Sequence, residues 1–143
     1  MIRTVLFAED DKEFAKSTKV FLEAGGWTVQ WVNDGKKARV LYERQKPDVL
    51  LLDLNMPKLD GLGLIRQVRE TDEGTPIVLY SGKISDSEVV EALEAGANDV
   101  VRKGVNAKEL LARLKKQHEL ASVYPGRAHV YVLAEGVEFN SLS

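Results

Sequence analysis

Three acidic side chains stand at the ends of two predicted β-strands. Glu9 and Asp10 come directly after residues 4–8, and Asp53 lies near the end of residues 48–54, where β-branched and apolar residues predict strands. The carboxyl ends of parallel strands lie along one edge of a sheet, so the three carboxylates are expected to meet there. Like charges that close repel, and the usual remedies are protonation, a basic partner or a hard divalent cation. Mg²⁺ suits the site best, because it prefers oxygen ligands and keeps several waters.

A hydroxyl and an ammonium group are expected at the same edge. Ser81 closes the fourth predicted strand and Lys103 closes the fifth. Taken singly, such a serine is usually a turn residue and such a lysine usually faces solvent. Their shared position with the acids instead favours a phosphate-sized site. In that site Asp53 is the nucleophile, Ser81 is a hydrogen-bond donor, Lys103 is a cation, and Asp10 and Glu9 hold the metal.

Five short β-branched segments alternate with five segments of helical spacing. The predicted strands are residues 4–8, 27–32, 48–54, 76–81 and 100–102. Capping-box spacing places two of the helix starts at Ser85 and Asn106. Because parallel neighbours need a crossover, the alternation predicts an α/β fold in which helices cover both faces of a parallel sheet. The apolar run 49–52 shows no polar alternation, which is typical of a central strand buried on both sides.

The composition excludes several functions. The chain has 143 residues, a formal net charge of −2 and no cysteine, which excludes disulfides and cysteine-ligated metals. A near-neutral charge gives no electrostatic case for direct nucleic-acid binding, and the apolar runs are too short to span a membrane. A Rossmann dinucleotide site would need a glycine-rich turn where the chain has Glu9-Asp10-Asp11-Lys12. We therefore expect a cytoplasmic protein that binds neither nucleic acid directly nor membranes.

The residues around Asp53 resemble a known family. The run of residues 53–61, DLNMPKLDG, is similar to the phosphorylation segment of the receiver domain of two-component response regulators. Glu9-Asp10-Asp11, Ser81-Gly82 and Lys103 fall in the family's order and spacing, and the resemblance covers residues 3–120. It implies a flavodoxin-like, doubly wound, five-stranded parallel sheet of order 2-1-3-4-5 with five helices.

The resemblance also implies roles for the site residues. Asp53 would accept a phosphoryl group, with Mg²⁺ bound by Asp10, Asp53 and the backbone carbonyl of Asn55, and with Glu9 helping through water. The metal and Lys103 would neutralise the charge that builds on the phosphoryl oxygens during transfer.

The loops beside the site carry both expected and unusual residues. Gly82 would leave room for the phosphoryl group, Ser81 would bond one of its oxygens, and Lys83 would tune its hydrolysis. The family usually has an aromatic switch residue where this chain has Val100, and a proline where it has Gly104. A valine cannot swing a polar-tipped ring between two positions. The signal is therefore expected to leave by another face or by backbone movement.

These observations favour a signalling switch over an enzyme. A histidine kinase or a phosphotransfer protein would supply the phosphoryl group, and the only chemistry would be self-phosphorylation from a donor and autodephosphorylation. The changed surface would bind a downstream effector protein, and homodimer formation is left open. Two alternatives remain: a receiver-like interaction module that no longer switches, and a small aspartate-nucleophile phosphatase. The phosphatase is disfavoured because Asn55 stands where such enzymes generally need a carboxylic acid.

The chain is expected to divide near residue 122. Residues 1–122 form the predicted receiver domain, and residues 123–143 form a C-terminal extension that is either a hairpin or a linker. Alternating apolar residues on both sides of Glu135-Gly136 favour the hairpin. An isolated hairpin is only marginally stable in water, so this one is expected to dock or to pair.

Overall fold

Five helices and seven strands make up the described part of the chain. The computed structural model describes residues 2–123, together with the backbone of residues 130–132 and 138–140. In chain order the elements are β1 (Arg3–Ala8), α1 (Lys12–Ala24), β2 (Trp27–Val32), α2 (Gly35–Gln45), β3 (Val49–Leu52), α3 (Gly61–Arg69), β4 (Ile77–Ser81), α4 (Asp86–Ala95), β5 (Asp99–Arg102), α5 (Ala107–Val123), β6 (Val130–Val132) and β7 (Glu138–Asn140). Among these described helices, none combines the length and the apolar character needed to cross a bilayer.

The first five strands form one parallel sheet in the order β2-β1-β3-β4-β5. Strand β1 pairs with both β2 and β3, so Ala8 at its carboxyl end lies beside Val32 and Leu52. Helices α2, α3 and α4 pack against one face of the sheet, and α1 and α5 pack against the other. The predicted flavodoxin-like fold, with strand order 2-1-3-4-5 and five helices, is confirmed.

Strand β3 lies at the centre of the sheet and is buried on both faces. Val49 and Leu51 belong to the core cluster shared with α1 and α5, and Leu50 and Leu52 belong to the cluster on the other side. All four side chains are fully buried, and burial of each contributes about 1.5–3 kcal/mol. This apolar anchoring fixes the point at which Asp53 leaves the sheet.

The third strand is shorter than its sequence pattern predicts. A strand is predicted over residues 48–54, whereas β3 spans Val49–Leu52. At one end, the Asp48 carboxylate accepts the backbone N–H of Thr4 at 2.7 Å. At the other end, the Leu54 carbonyl turns to accept the backbone N–H of Gly61 at 2.8 Å. Residues 53 and 54 are buried but belong to a loop. Burial alone does not show whether a residue lies in a strand or in a loop, so the predicted strand is too long.

Short polar side chains begin the helices. In the first four helices, the side chains that accept a backbone N–H of the first turn are those of Asp11, Asp34, Asp60 and Ser85. The predicted capping box of Ser85 and Glu88 is confirmed. Asn106 accepts the backbone N–H of Glu109 at 2.8 Å, as predicted for the start of α5. These caps satisfy helix N–H groups that have no partner within the helix.

Beyond α5, the described backbone consists of two short paired strands. Strands β6 and β7 run antiparallel, with Tyr131 opposite Phe139. The remaining residues of this segment, which include the predicted turn at Glu135-Gly136, lie outside the described residues. The division of the chain near residue 122 stays a prediction.

Candidate functional site

The carboxylates of Glu9, Asp10 and Asp53 meet at the carboxyl edge of the sheet. The backbone N–H of Glu9 donates to the Val32 carbonyl and that of Asp53 donates to the Ala8 carbonyl, both at 3.0 Å. These bonds extend the strand pairing past the strand ends. One carboxylate oxygen from each acid lies within 4.8 Å of the other two. Glu9 and Asp53 are buried and Asp10 is exposed, so the cluster is accessible from solvent at Asp10.

Glu9 is a buried acid whose hydrogen bonding is incomplete. Its Oε2 accepts the backbone N–H of Asp11 at 3.1 Å. Its Oε1 forms an ion pair with Lys103 Nζ at 2.6 Å, but no described group donates a well-aligned hydrogen bond to it. Burial raises the pKa of Glu9 above its usual value, and the contacts with Lys103 and Asp11 partly oppose this. A buried carboxylate oxygen without its full set of partners favours a cation as the missing partner.

Lys103 links two of the three acids. Its Nζ lies 2.6 Å from Glu9 Oε1 and 3.5 Å from Asp53 Oδ2. The lysine side chain is only 19% exposed, so water screens these charges less than at an open surface. The structure therefore brings the predicted cation and the predicted acids to one place.

A glycine lets the loop after Asp53 approach the start of α3. A Cβ atom at Gly61 would lie 2.4 Å from the backbone carbonyl oxygen of Asp53, closer than real side chains come. Asp60 accepts the backbone N–H of Gly63 at 2.8 Å and begins the helix immediately afterwards. Within this loop Asn55 is exposed. Its backbone carbonyl as a metal ligand stays a prediction.

Ser81, Gly82 and Lys83 leave β4 at the same edge. Ser81 is buried, and its hydroxyl donates to the Lys83 carbonyl at 3.3 Å. A Cβ at Gly82 would lie 3.6 Å from Lys103 Cδ, so the glycine lies against the lysine stem. The Lys83 side chain is exposed. Because β4 lies between β3 and β5, Ser81 shares the edge with Asp53 and Lys103, while its hydroxyl faces its own loop.

The residues around β5 differ at Val100 and Gly104 from the pattern of the family that the chain resembles. Val100 is partly buried against the core cluster shared with α2, α3 and α4. Gly104 has a φ of 108°, which a proline ring cannot adopt. Arg102, which the sequence patterns do not single out, donates to the Ile84 carbonyl at 2.5 Å. This bond ties the end of β5 to the loop between β4 and α4.

Two aromatic residues beside the site also escape the sequence patterns. Trp31 donates its indole N–H to the Glu9 carbonyl at 2.8 Å. The ring centroid of Phe14 lies 4.4 Å from Lys103 Nζ. The register that pairs Trp31 with Phe7 would have placed the indole near Glu9, but the pattern of a single strand contains no register.

The arrangement can hold a divalent cation and an oxyanion side by side. The three carboxylates offer hard oxygen ligands for the cation, and Lys103 offers a positive charge to the anion. An electrophile that approaches Asp53 would therefore meet a nucleophilic carboxylate between two sources of positive charge.

A family model matches most of the chain. The model described as the response regulator receiver domain matches residues 5–115. The matched segment contains the acidic cluster, Ser81 and Lys103.

Curated relatives match over a segment of similar length. Response regulator MprA of Mycobacterium leprae is 40% identical over 111 residues, which cover 78% of this chain and 49% of that protein. Response regulator MprA of Mycobacterium ulcerans is 39% identical over 111 residues, or 78% of this chain and 48% of that protein. The chain thus spans about half the length of the curated relatives it matches.

Solved structures share the fold. The Francisella response regulator 1452 receiver domain is 31% identical, with a TM-score of 0.78 over 82% of this chain and 98% of that one. The BeF3-activated N-terminal receiver domain of Klebsiella pneumoniae RstA is 34% identical, with a TM-score of 0.78 over 81% of this chain and 98% of that one.

Proposed function

The chain belongs to the response regulator receiver domain family, and from this premise we propose that it is a phosphoacceptor of a two-component phosphorelay, with Asp53 as the acceptor. The observation that carries the proposal is the contact of Lys103 Nζ with Glu9 at 2.6 Å and Asp53 at 3.5 Å, beside Asp10. A phosphohistidine on a histidine kinase or on a phosphotransfer protein is the donor. A downstream effector protein is the partner that reads the result.

The transfer step is a displacement at phosphorus. A carboxylate oxygen of Asp53 attacks, a P–O bond forms and the P–N bond of the phosphohistidine breaks. The donor imidazole leaves neutral when its other nitrogen carries a proton. Lys103 already lies 3.5 Å from Asp53 Oδ2, so its ammonium is placed to neutralise an oxygen of the incoming phosphoryl group.

The acidic cluster is the proposed Mg²⁺ site. Its three carboxylates are close enough to share one ion, and the buried Glu9 Oε1 is paired with Lys103 Nζ but accepts no well-aligned hydrogen bond from the described residues. Asp10, Asp53 and the backbone carbonyl of Asn55 would hold the ion, with Glu9 acting through water. When bound, Mg²⁺ supplies positive charge beside the phosphoryl oxygens.

Ser81 and its loop are the proposed switch. The Ser81 hydroxyl donates to the Lys83 carbonyl at 3.3 Å, and it would turn to donate to a phosphoryl oxygen instead. Gly82 leaves room for that oxygen, and Lys83 would tune hydrolysis of the acyl phosphate. Since Val100 has no polar ring that could change position, the conformational change is transmitted through the backbone of this loop. Arg102 holds the same loop at Ile84, so this contact would have to adjust.

The chemistry of the site serves signalling rather than turnover of a small substrate. We propose that it is limited to self-phosphorylation from a phosphodonor and to autodephosphorylation. The phosphatase alternative is not favoured, because Asn55 cannot act as a general acid. Residues 1–122 are proposed as the receiver domain of a cytoplasmic protein and residues 123–143 as its extension. Homodimer formation stays open, and direct binding to nucleic acid or membranes is not part of the proposal.

Beryllofluoride, a mimic of the phosphoryl group, tests the proposal in the presence of Mg²⁺. The ¹H–¹⁵N NMR resonances of residues 81–84 are expected to shift in the wild-type protein. Asp53→Asn should abolish the response, because the amide cannot replace the carboxylate oxygen that binds beryllium. Asp60→Asn in the same loop is the matched control and should respond normally, since asparagine also caps helices. A response that survives in Asp53→Asn would contradict the assignment of the acceptor.

A receiver-like module that no longer switches predicts a different result. In such a module, neither Mg²⁺ nor beryllofluoride would change the NMR resonance of Ser81. Wild-type protein that stays unchanged through both titrations would therefore favour that alternative.

A further inference from the structure

The first turn of α1 places an aromatic ring under the site. Asp11 caps the helix by accepting the backbone N–H of Phe14 at 3.1 Å, which fixes the backbone at this residue. The ring of Phe14 packs against Tyr80, with centroids 5.6 Å apart and planes tilted by 43°. Tyr80 is itself only 3% exposed. The ring of Phe14 therefore packs against a buried side chain of the core.

The ring of Phe14 also contacts the Lys103 ammonium. The Nζ atom lies 4.4 Å from the ring centroid, within the range in which a cation is attracted by the negative face of an aromatic ring. The same Nζ lies 2.6 Å from Glu9 and 3.5 Å from Asp53. The ammonium thus has a carboxylate on two sides and a ring on a third.

The backbone of Lys103 is fixed, because its N–H donates to the Ser81 carbonyl at 2.8 Å. Its stem has four rotatable bonds, so the contacts at its end decide where the ammonium lies. Gly82 contributes only backbone beside the stem. The carboxylates of Glu9 and Asp53 attract the ammonium, and the Phe14 ring lies against it as well.

We propose that Phe14 is a positioning residue of the phosphoryl-transfer site, whose ring holds the Lys103 ammonium where it reaches Glu9 and Asp53 together. The inference rests on the proposed function, because it concerns the placement of the cation that neutralises the phosphoryl oxygens. An aliphatic side chain could pack against Tyr80 equally well, but it has no negative face to attract the ammonium. The role therefore belongs to the ring and not to its bulk.

The experiment compares Phe14→Leu with Phe14→Tyr in the full chain. Leucine keeps an apolar, helix-forming side chain but removes the ring, and tyrosine keeps the ring. Phe21→Leu is the matched control, because Phe21 is a partly buried phenylalanine of the same helix and the same core cluster. Two quantities are measured: the NMR shift of the Lys103 ε-methylene protons, and the rate at which acetyl phosphate phosphorylates Asp53 with Mg²⁺.

Phe14→Leu should remove the upfield ring shift of the Lys103 ε-protons and slow phosphorylation by about three- to tenfold, the scale of one partly buried cation–ring contact. Phe14→Tyr and Phe21→Leu should leave both quantities within about twofold of the wild-type values. A merely structural role for Phe14 would slow Phe14→Leu and Phe21→Leu alike, whereas the ring shift reports only that the ring of Phe14 lies over the ammonium.

Failure of the inference can be told apart from failure of the proposed function. A phosphorylation rate of Phe14→Leu within about twofold of the wild-type rate, in a wild-type background that is phosphorylated normally, overturns the positioning role alone. A wild-type protein that acetyl phosphate does not modify at Asp53 overturns the proposed function, and the positioning role with it.

Discussion

The positive charge of one lysine at the site partly offsets the negative charges of the acids around it. Glu9 and Asp53 are buried acids with Asp10 beside them, and Lys103 Nζ is within 3.5 Å of two of these carboxylates. Without a cation, three acids whose oxygens lie within 4.8 Å of one another repel. The lysine therefore stabilises the fold before any phosphoryl group arrives, and a bound metal ion would share that role.

Replacement of the lysine tests this balance. Lys103→Met keeps the stem and removes the charge, and we expect it to lower the free energy of unfolding by about 1–3 kcal/mol without metal. Mg²⁺ should then raise the melting temperature of Lys103→Met more than that of the wild-type protein. The measurement is thermal unfolding with and without Mg²⁺, with the exposed lysine variant Lys108→Met as the control. Equal Mg²⁺ effects in all three proteins would show that Lys103 does not balance the acids.

Asp72, at the opposite end of the sheet, makes stability depend on pH. Its carboxylate accepts hydrogen bonds from the Thr75 hydroxyl at 2.6 Å, from the Thr75 backbone N–H at 3.0 Å and from Tyr42. Burial by itself would raise the pKa of Asp72, but these bonds outweigh it, and the pKa is lowered. A lowered pKa gives stability that is present above the unfolded-state value of about 3.9 and is lost as the pH falls below it.

Asp72→Asn removes that dependence. At pH 7 the variant should be less stable by about 1.5–3 kcal/mol, the scale of hydrogen bonds to a charged group. The difference should shrink when both proteins are unfolded with urea at pH 3, because the wild-type carboxylate is then losing its advantage. Glu94→Gln, an exposed acid-to-amide change, should track the wild-type protein at both values. A difference that is the same at pH 3 and pH 7 would exclude a charge effect.

The residues that carry the chemistry of the site could be recognised in the sequence from their type and position. Glu9, Asp10, Asp53 and Lys103 stand out because polar groups end apolar strands, and the structure places them together. Phe14 carries no such mark, because its role depends on which side chain packs over it. Contacts of that kind follow from register and from the rotation of a helix on the sheet, which spacing in the sequence does not fix.

The strands and helices could be predicted because their apolar residues recur with a regular spacing. The alternation of strands and helices and the central run Val49–Leu52 predict the sheet that the structure contains. Element ends were harder, since polar caps and loop contacts decide them; β5 begins at Asp99, one residue before its β-branched run. The loop after β5 shows the same limit, because only its backbone angles reveal why a glycine stands at position 104.

Gly104 allows a direct test of that loop. Its φ of 108° favours glycine, and a Cβ there would meet nothing within 4 Å, so the cost of a side chain is a backbone cost. Gly104→Ala should lower stability by about 1–2 kcal/mol. Gly104→Pro, which restores the usual family residue, should cost more and should slow phosphorylation of Asp53, because the ring forces a φ near −65° directly after Lys103. Urea unfolding and acetyl phosphate kinetics measure both. A proline variant as stable as the alanine variant would show that the loop adapts freely.

The two edges of the sheet have different roles, with the chemistry at the carboxyl edge and structural contacts at the amino edge. The acids and Lys103 occupy the carboxyl edge of the sheet. An open depression of about 420 Å³ lies at the amino edge, lined by Asp48, Asp72 and His118 among others. The bonds of Asp48 to Thr4 at 2.7 Å and of Asp72 to Thr75 hold the loops at that edge. A ligand at the carboxyl edge should therefore be sensed locally and leave the amino edge unchanged.

Strand β2 carries one tryptophan near each edge, which makes this separation measurable. Trp31 bonds the Glu9 carbonyl at 2.8 Å, whereas Trp27 is buried at the other end, under the Arg3 guanidinium at 4.8 Å. Mg²⁺ should change the fluorescence of the wild-type protein and of Trp27→Phe along the same saturation curve, because the indole of Trp31 senses Glu9. Trp31→Phe should show no change at the same concentrations while keeping its melting temperature within a few degrees. A signal that persists in Trp31→Phe and disappears in Trp27→Phe would place the cation at the amino edge, near the Asp48 and Asp72 carboxylates, instead of among the acids that surround Asp53.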